Sequence, residues 1–449
     1  MRNRLWLLIA ACAAALAVPS AAGAVQTTPI PGQYIVVLNH GSNGREVARE
    51  HARSAGADVL QTYDAALHGY TAKLSAAGLA KVKADPRVAS ITQDAEGVPI
   101  TSQTLPTGVN RIDGDVSSQF AGDGGGTTNG DVAVFDTGIQ VDHPDLNVVG
   151  GVNCLDASNA YNDHTYGDQH GHGTHVAGIV GAKDDLNGVV GVAPGVRLWS
   201  VRVLDSRASG TISSQLCGVN WITANGPSLG IKVVNSSQAM MTAKQNDGNC
   251  GYTNGDVLHQ AVCASTAAGT LWVFGAGNST YSFTNAAGMN YPEVLTVTGP
   301  ADGNGQPNVP TTATVSCGSA LSTGTKKSTY TETDDKYASF SNWAGNAVEQ
   351  AHTIAAPGVC ILSTFLNSTY GVLTGTSMSS PTAAGVAELC LLATACDGVP
   401  ANEIQKLRSD AQTYNQAHPG YGFTGDPLRP TTGKLAGRYY GYMIYAGLY

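Results

Sequence analysis

Between residues 131 and 392, short apolar runs rich in β-branched residues alternate with stretches of small residues. The runs read as buried strands over 131–135, 196–203, 232–235, 271–274 and 294–298. The intervening stretches read as helices over 172–181, 213–223, 256–268 and 377–392. Strands separated by helices are joined by crossovers and therefore lie parallel. A parallel sheet has to be covered on both faces. The prediction is an α/β fold, a parallel sheet with helices on both faces. Functional residues of such sheets gather at the carboxyl ends of the strands.

Three stretches place chemistry at those ends. Asp131-Val132-Ala133-Val134-Phe135-Asp136-Thr137-Gly138 ends a strand on a carboxylate, which is well placed to orient a histidine. His170-Gly171-His172-Gly173-Thr174-His175 leads into a helix with His172 near its start. Gly375-Thr376-Ser377-Met378-Ser379-Ser380-Pro381 opens a nearly uncharged helix, with Ser377 at its N-terminus. Unpaired N–H groups and the helix dipole there favour a developing oxyanion. Each stretch has a plainer reading. Asp136 alone is a turn residue, and Ser377 alone caps a core helix. The three histidines could be a metal cluster, although no glutamate stands in an H-E-x-x-H arrangement. Asp, then His, then Ser is one of the known orders of the hydrolytic triad, and it differs from the Ser, acid, His order of α/β-hydrolases.

Taken together and in order, D-T-G, H-G-T-H-V-A-G and G-T-S-M-x-x-P resemble the subtilisin family of serine proteases. The resemblance implies that Asp136 orients, His172 acts as general base and then acid, and Ser377 is the nucleophile. His170 and His175 match no catalytic position and are expected to be structural. Leu271-Trp272-Val273-Phe274-Gly275-Ala276-Gly277-Asn278 ends a strand on an amide, and in the family that asparagine donates to the oxyanion. By itself Asn278 reads as a turn residue. Substrate contacts are expected from Gly275, Ala276 and Gly277. They are also expected from an edge segment containing Ser237, Gln238 and Ala239. That segment commonly reads S-L-G in the family. The amide and the added methyl here should narrow or polarise the subsites.

The resemblance also implies an organisation for the whole chain. Residues 1–24 read as a signal peptide: Arg2 and Arg4, then an apolar run, then Ala22-Gly23-Ala24 as the cleavage site. Residues 25–101 are expected to be an inhibitory propeptide. The order β-α-β-β-α-β over 34–91 gives a small ferredoxin-like α/β unit. Residues 102–449 are expected to form the subtilisin-like catalytic domain, with self-cleavage near Thr101. The segment 299–336 has no apolar periodicity and reads as an inserted surface loop. The tyrosine-rich end, 439–449, is apolar enough to pack on the domain.

Nine cysteines are present, of which Cys12 lies in the leader and eight follow. An even number in a chain that reads as exported points to disulfides in an oxidising compartment. Spacing does not fix their connectivity. The expected pairs are Cys154–Cys217, Cys250–Cys263, Cys317–Cys360 and Cys390–Cys396, the alternative being that some are buried free thiols. Hydrophobic residues are 42% and charged residues 13%, the mark of a packed chain. A net charge of −9 without a basic cluster gives no footprint for nucleic acid or an anionic membrane.

Subtilisins carry a calcium loop shortly after the catalytic histidine. Lys183-Asp184-Asp185-Leu186-Asn187-Gly188-Val189 stands at that offset and is rich in hard oxygen ligands. The resemblance implies structural calcium held by Asp185 and Asn187 side chains and by the Lys183 and Val189 carbonyls. Gln103 and Asp145 would be remote ligands. The plainer reading is a solvated acidic turn. The expected protein is a secreted, self-processed monomeric serine endopeptidase acting on polypeptides, with its own propeptide as inhibitor. The alternative is a secreted, non-catalytic binding protein on a protease scaffold.

Overall fold

The computed structural model describes residues 28–39, 41–64, 67–96, 103–155, 165–238, 244–307, 313–317 and 331–449. The expected signal peptide, Ala239 and the expected cleavage point near Thr101 lie outside the described residues. The chain divides into two compact units, Met1–Thr101 and Ser102–Tyr449.

In the first unit, β1 (Thr28–Leu38), β2 (Asp58–Tyr63), β3 (Gly69–Lys73) and β4 (Val88–Glu96) form one sheet in the order β2-β3-β1-β4. The pairing is antiparallel throughout. Helices α1 (Gly44–Ala55) and α2 (Ala76–Lys83) complete the β-α-β-β-α-β order. Each starts where a side chain can cap it. Asn43 accepts from the Arg45 and Glu46 N–H groups, and Ser75 accepts from that of Gly78. Val36, Val47, Tyr70, Ala72 and Val82 close a small core. β4 runs to Glu96, beyond the predicted end at residue 91.

The second unit is built on β5 (Asp131–Asp136), β6 (Val148–Asn153), β7 (Arg197–Arg202), β8 (Val233–Ser236), β9 (Leu271–Gly275), β10 (Leu295–Thr298) and β11 (Thr353–Ala355). They form a parallel seven-stranded sheet in the order β11-β10-β9-β8-β5-β7-β6. β6 and β11 lie outside the sequence expectations. Strand alternation sends Val132 and Val134 to one core, and Ala133 and Phe135 to another. The first core also takes residues of α3 (His172–Gly181) and α6 (Thr376–Leu392), including Val176, Val180 and Val386. The second takes Val219 and Ile222 of α4 (Ile212–Leu229), and Leu258 and Val262 of α5 (Val257–Ala267). The α6 run is buried on nearly every side, as its lack of a polar stripe predicts. α4 continues through Pro227 to its Gly230 cap, past the predicted end at residue 223.

All four expected disulfides are present: Cys154–Cys217, Cys250–Cys263, Cys317–Cys360 and Cys390–Cys396. The inserted segment carries short antiparallel pairs, Thr314–Ser316 with Thr331–Thr333 and Pro300–Ala301 with Lys336–Tyr337. Buried Arg111 bonds Asp335 at 2.8 Å and the Gly422 carbonyl at 2.8 Å. The tyrosine-rich end packs along the sheet edge. Ala355 N–H donates to Tyr442 O, Ile444 N–H donates to Ala355 O, and Tyr449 is buried. Among the described residues no helix is long and apolar enough to cross a membrane.

Candidate active site

Asp136 is the last residue of the interior strand β5, and its side chain is fully buried. Its Oδ1 accepts from His172 Nδ1 at 2.7 Å and from the Thr137 N–H at 2.7 Å. His172 opens α3, with 21% of its side chain exposed. Donation from Nδ1 leaves Nε2 free of a proton in the neutral ring. Burial works against the charged ring. The Asp136 charge and hydrogen bond outweigh it, so His172 titrates above the ordinary histidine value.

Ser377 is the second residue of α6 and shares one cleft with His170, His172, Asn278, Phe365 and Met378. Its hydroxyl donates to Ser237 O at 3.0 Å rather than to His172. Ser237 Oγ in turn donates to Ser377 O at 2.8 Å. The backbone just past β8 and the start of α6 are thus laced together. Of the other expected substrate contacts, Gln238 presents a buried Nε2 with no hydrogen-bond partner among the described residues. Gly275 ends β9, and a Cβ there would meet Thr376 O at 2.8 Å. Ala276 N–H donates to Val297 O at 2.8 Å, and Gly277 N–H donates to Thr376 Oγ1 at 2.9 Å.

Asn278 is anchored through its oxygen. Oδ1 accepts from the Thr376 N–H at 2.9 Å and the Thr376 hydroxyl at 3.0 Å. The amide nitrogen lies by Gly375, where a Cβ would come within 3.1 Å of it. A fixed donor beside a helix N-terminus and a serine hydroxyl is what stabilisation of a carbonyl oxyanion needs.

Several supporting residues escape the motifs. Asp168 Oδ1 accepts from Thr137 Oγ1 and from the His170 and Gly171 N–H groups. Its Oδ2 accepts from the Thr174 N–H and hydroxyl. One carboxylate therefore joins the end of β5 to the start of α3, where His172 stands. A signal for it was present: an acid just ahead of a glycine-rich helix start, where backbone N–H groups need acceptors. The neighbouring histidines differ from His172. His175 is buried, and burial pushes it down to about 3, while Nε2 donates to Ile361 O and Gly371 O. His170 is also lowered by burial.

The structure brings four of the six expected cation ligands into mutual contact. Gln103 Nε2 donates to Lys183 O at 2.6 Å and Val189 O at 3.2 Å, and Asp145 Oδ2 accepts from the Val189 N–H at 3.0 Å. Asp185 and Asn187 instead bond to each other on the exposed tip of the loop. Two buried oxygens of the cluster, Gln103 Oε1 and Asp145 Oδ1, have no hydrogen-bond partner among the described residues. Burial pushes the Asp145 carboxyl up to about 7. Elsewhere Cys250, His259, Cys263 and Glu293 lie close enough to hold a metal ion. However, the two sulfurs are joined as a disulfide, and His259 Nε2 bonds Glu293.

A parallel sheet with an Asp–His pair and a serine in the first turn of a helix at its carboxyl edge has the subtilisin type of fold. Residues 128–423 match the subtilase family of peptidases, and residues 33–96 match the peptidase inhibitor I9 family. The chain belongs to the subtilase family and is a serine protease with an inhibitor-type propeptide domain. It is 32% identical over 393 residues to a thermostable alkaline protease of Halalkalibacterium halodurans, covering 87% of this chain and 88% of that one. It is 36% identical over 293 residues to subtilisin DY of Bacillus licheniformis, covering 65% of this chain and 85% of that one. A solved cold-adapted subtilisin-like serine proteinase shares the fold at 24% identity and a TM-score of 0.50, over 76% of this chain and 98% of that one.

Proposed function

We propose that the protein is a secreted, self-processing serine endopeptidase in which Asp136, His172 and Ser377 form the triad and Asn278 donates to the oxyanion. The observation that carries this reading is the 2.7 Å His172–Asp136 hydrogen bond in the cleft that also holds Ser377 and Asn278. Asp136 holds Nδ1 protonated, so Nε2 takes the proton of Ser377 as its oxygen attacks the carbonyl carbon of the scissile peptide. The serine hydroxyl first turns from Ser237 O to Nε2, a rotation about one side-chain bond. The carbonyl oxygen becomes an anion that meets the Asn278 amide and the N–H groups at the start of α6. His172 then gives its proton to the leaving amine, and water repeats the sequence on the acyl-enzyme. Residues 1–24 direct export, and the four disulfides suit an oxidising compartment. Residues 25–101 act as an intramolecular inhibitor that the enzyme removes near Thr101, leaving 102–449 as the catalytic domain. Ser237, Gln238, Ala239, Gly275, Ala276 and Gly277 are the residues that would contact an extended polypeptide.

Structural calcium fits the cluster of Gln103, Asp145, Lys183 O and Val189 O, with Asp185 and Asn187 at its rim. The donors are hard oxygens, and two of them are buried with no hydrogen-bond partner among the described residues. When bound, the ion would supply charge compensation for Asp145 and tie the segment at Gln103 to the loop after α3.

The test uses Ser377→Ala and a fluorophosphonate probe. The wild-type chain should be labelled on Ser377 and appear at mature length. The variant should stay unlabelled and retain its propeptide in a host lacking proteases. Labelling elsewhere, or maturation of the variant, would overturn the assignment. A folded wild-type chain that neither labels nor cleaves peptides would favour the non-catalytic binding protein.

A further inference from the structure

The segment that carries Asn278 leaves β9 at Gly275 and has no helix or strand of its own through Tyr281. A donor that stabilises an oxyanion must already be in place when the charge forms, so something has to hold this loop. One residue bonds it on both sides of Asn278. Asn342 Nδ2 donates to Ala276 O at 2.9 Å, and the Asn342 backbone N–H donates to Gly277 O at 2.9 Å. Asn342 Oδ1 accepts from the Ser279 N–H at 3.0 Å and the Tyr281 N–H at 3.1 Å.

Asn342 is 1% exposed and does not line the cleft. Its own backbone is fixed by Ser341, whose hydroxyl accepts from the Gly299 N–H and donates to Asn342 O, each at 3.0 Å. The loop is shaped to receive the amide. Gly277 has φ +97°, and a Cβ there would stand 2.5 Å from Asn342 Nδ2. A side chain at 342 has to donate once and accept twice over this short reach, and the primary amide of asparagine does so.

We propose that Asn342 is a positioning residue of the oxyanion hole. It holds the 276–281 loop so that the Asn278 amide is presented to the reacting carbonyl without itself touching substrate. The proposal rests on the reading of Asn278 as the oxyanion donor. A plain structural staple would lower the melting temperature and leave the chemical step alone. A positioning residue lowers kcat, and does so only while Asn278 is there to be positioned.

The experiment is a double-mutant cycle on the mature enzyme, matured in trans by tagged wild-type protease that is then removed. Asn342→Ala, Asn278→Ala and the double variant are compared with wild type for kcat, KM and melting temperature on one peptide substrate, each normalised by active-site titration. Asn342→Ala should lower kcat by about 10- to 100-fold with KM changed by less than about threefold. In the Asn278→Ala background the same substitution should cost less than about threefold. Multiplicative losses, or a change confined to KM or melting temperature, would overturn the proposal. An Asn278→Ala enzyme with unchanged kcat would instead overturn the oxyanion reading. If Asn342→Ala does not fold, Asn342→Asp keeps both acceptor contacts, replaces the donation to Ala276 O with a carboxylate oxygen facing that carbonyl, and is judged by the same criterion.

Discussion

Asn278 Oδ1 accepts both the backbone N–H and the hydroxyl of Thr376, the residue before Ser377. The amide of the proposed oxyanion donor is thereby oriented by the neighbour of the proposed nucleophile. Thr376 Oγ1 also accepts the Gly277 N–H. Thr376→Val removes the hydroxyl at nearly constant volume and leaves the backbone donor. It should lower kcat about tenfold with little change in KM, because the orientation matters most when the oxyanion forms. Asn278→Ala should cost about 10²–10³ in kcat, the magnitude measured for the equivalent loss in a subtilisin. Steady-state kinetics on one peptide substrate check both, and an effect of Thr376→Val confined to KM would contradict the first.

Activity should fall on the acid side as His172 takes up a proton. The Asp136 charge outweighs burial and raises His172, so this limb should lie above the ordinary histidine value near 6.5. The base works only when neutral, so kcat/KM is present above that pKa and lost as pH falls through it. Asp136→Asn removes the raising charge. It should move the limb to lower pH while cutting kcat by about 10⁴-fold. A pH profile of kcat/KM for both enzymes decides it, and an unmoved limb would separate His172 from Asp136.

Removing calcium should destabilise the folded enzyme. An ion bound only by the native state at about a hundredfold excess over its Kd contributes about 2.7 kcal/mol. Melting curves of active-site-blocked enzyme should shift down on chelation, and Asp145→Asn should blunt the shift. A chelator response equal to wild type in that variant would move the site elsewhere. No response in wild type, with no copurified calcium, would remove it.

His175 gives stability a second pH dependence. Its ring is held neutral by burial, with a folded value of about 3 against about 6.5 in the unfolded chain. The unfolded chain therefore binds the proton first, and stability is lost as pH falls below about 6.5 toward about 3. The loss should amount to a few kcal/mol, since each tenfold difference in proton affinity between the two states is worth about 1.4 kcal/mol. His175→Gln should be less stable at neutral pH yet lose less on acidification. Part of the slope should survive, because burial also holds His352 down to about 4. Denaturant midpoints at pH 7 and pH 4 give the comparison.

The interior strands were readable because β5, β8, β9 and β10 are short runs buried on both faces, and β7 carries Leu198 and Val201 between its polar residues. The edge strands were not. β6 reads Val148-Val149-Gly150-Gly151-Val152-Asn153, and its glycines look like a turn. They serve instead to let β7 approach, since a Cβ on Gly151 would stand 2.1 Å from Ser200 O. β11 has three residues and is defined by its neighbours. The helix Pro400–Ala417 lies outside the sequence expectations, though proline at its start and buried Ile404, Leu407 and Ala411 were signals for it. In the site, Asp136, His172, Ser377 and Asn278 stand in local patterns and could be named. Asp168 carried a local signal, but Thr376 and Asn342 act through bonds whose partners only folding selects. Asn342 meets Ala276 from 66 positions away.

The bonds of Arg111 cross 224 positions to Asp335 and 311 to Gly422. Contacts of such span close long loops and form late in folding, and interactions absent from the folding transition state slow unfolding. A protease lives among copies of itself, and any molecule that opens is food for its neighbours. Its working lifetime is then set by how rarely it opens, a rate rather than an equilibrium. A guanidinium outside the cleft thus helps decide how long the cleft goes on cutting.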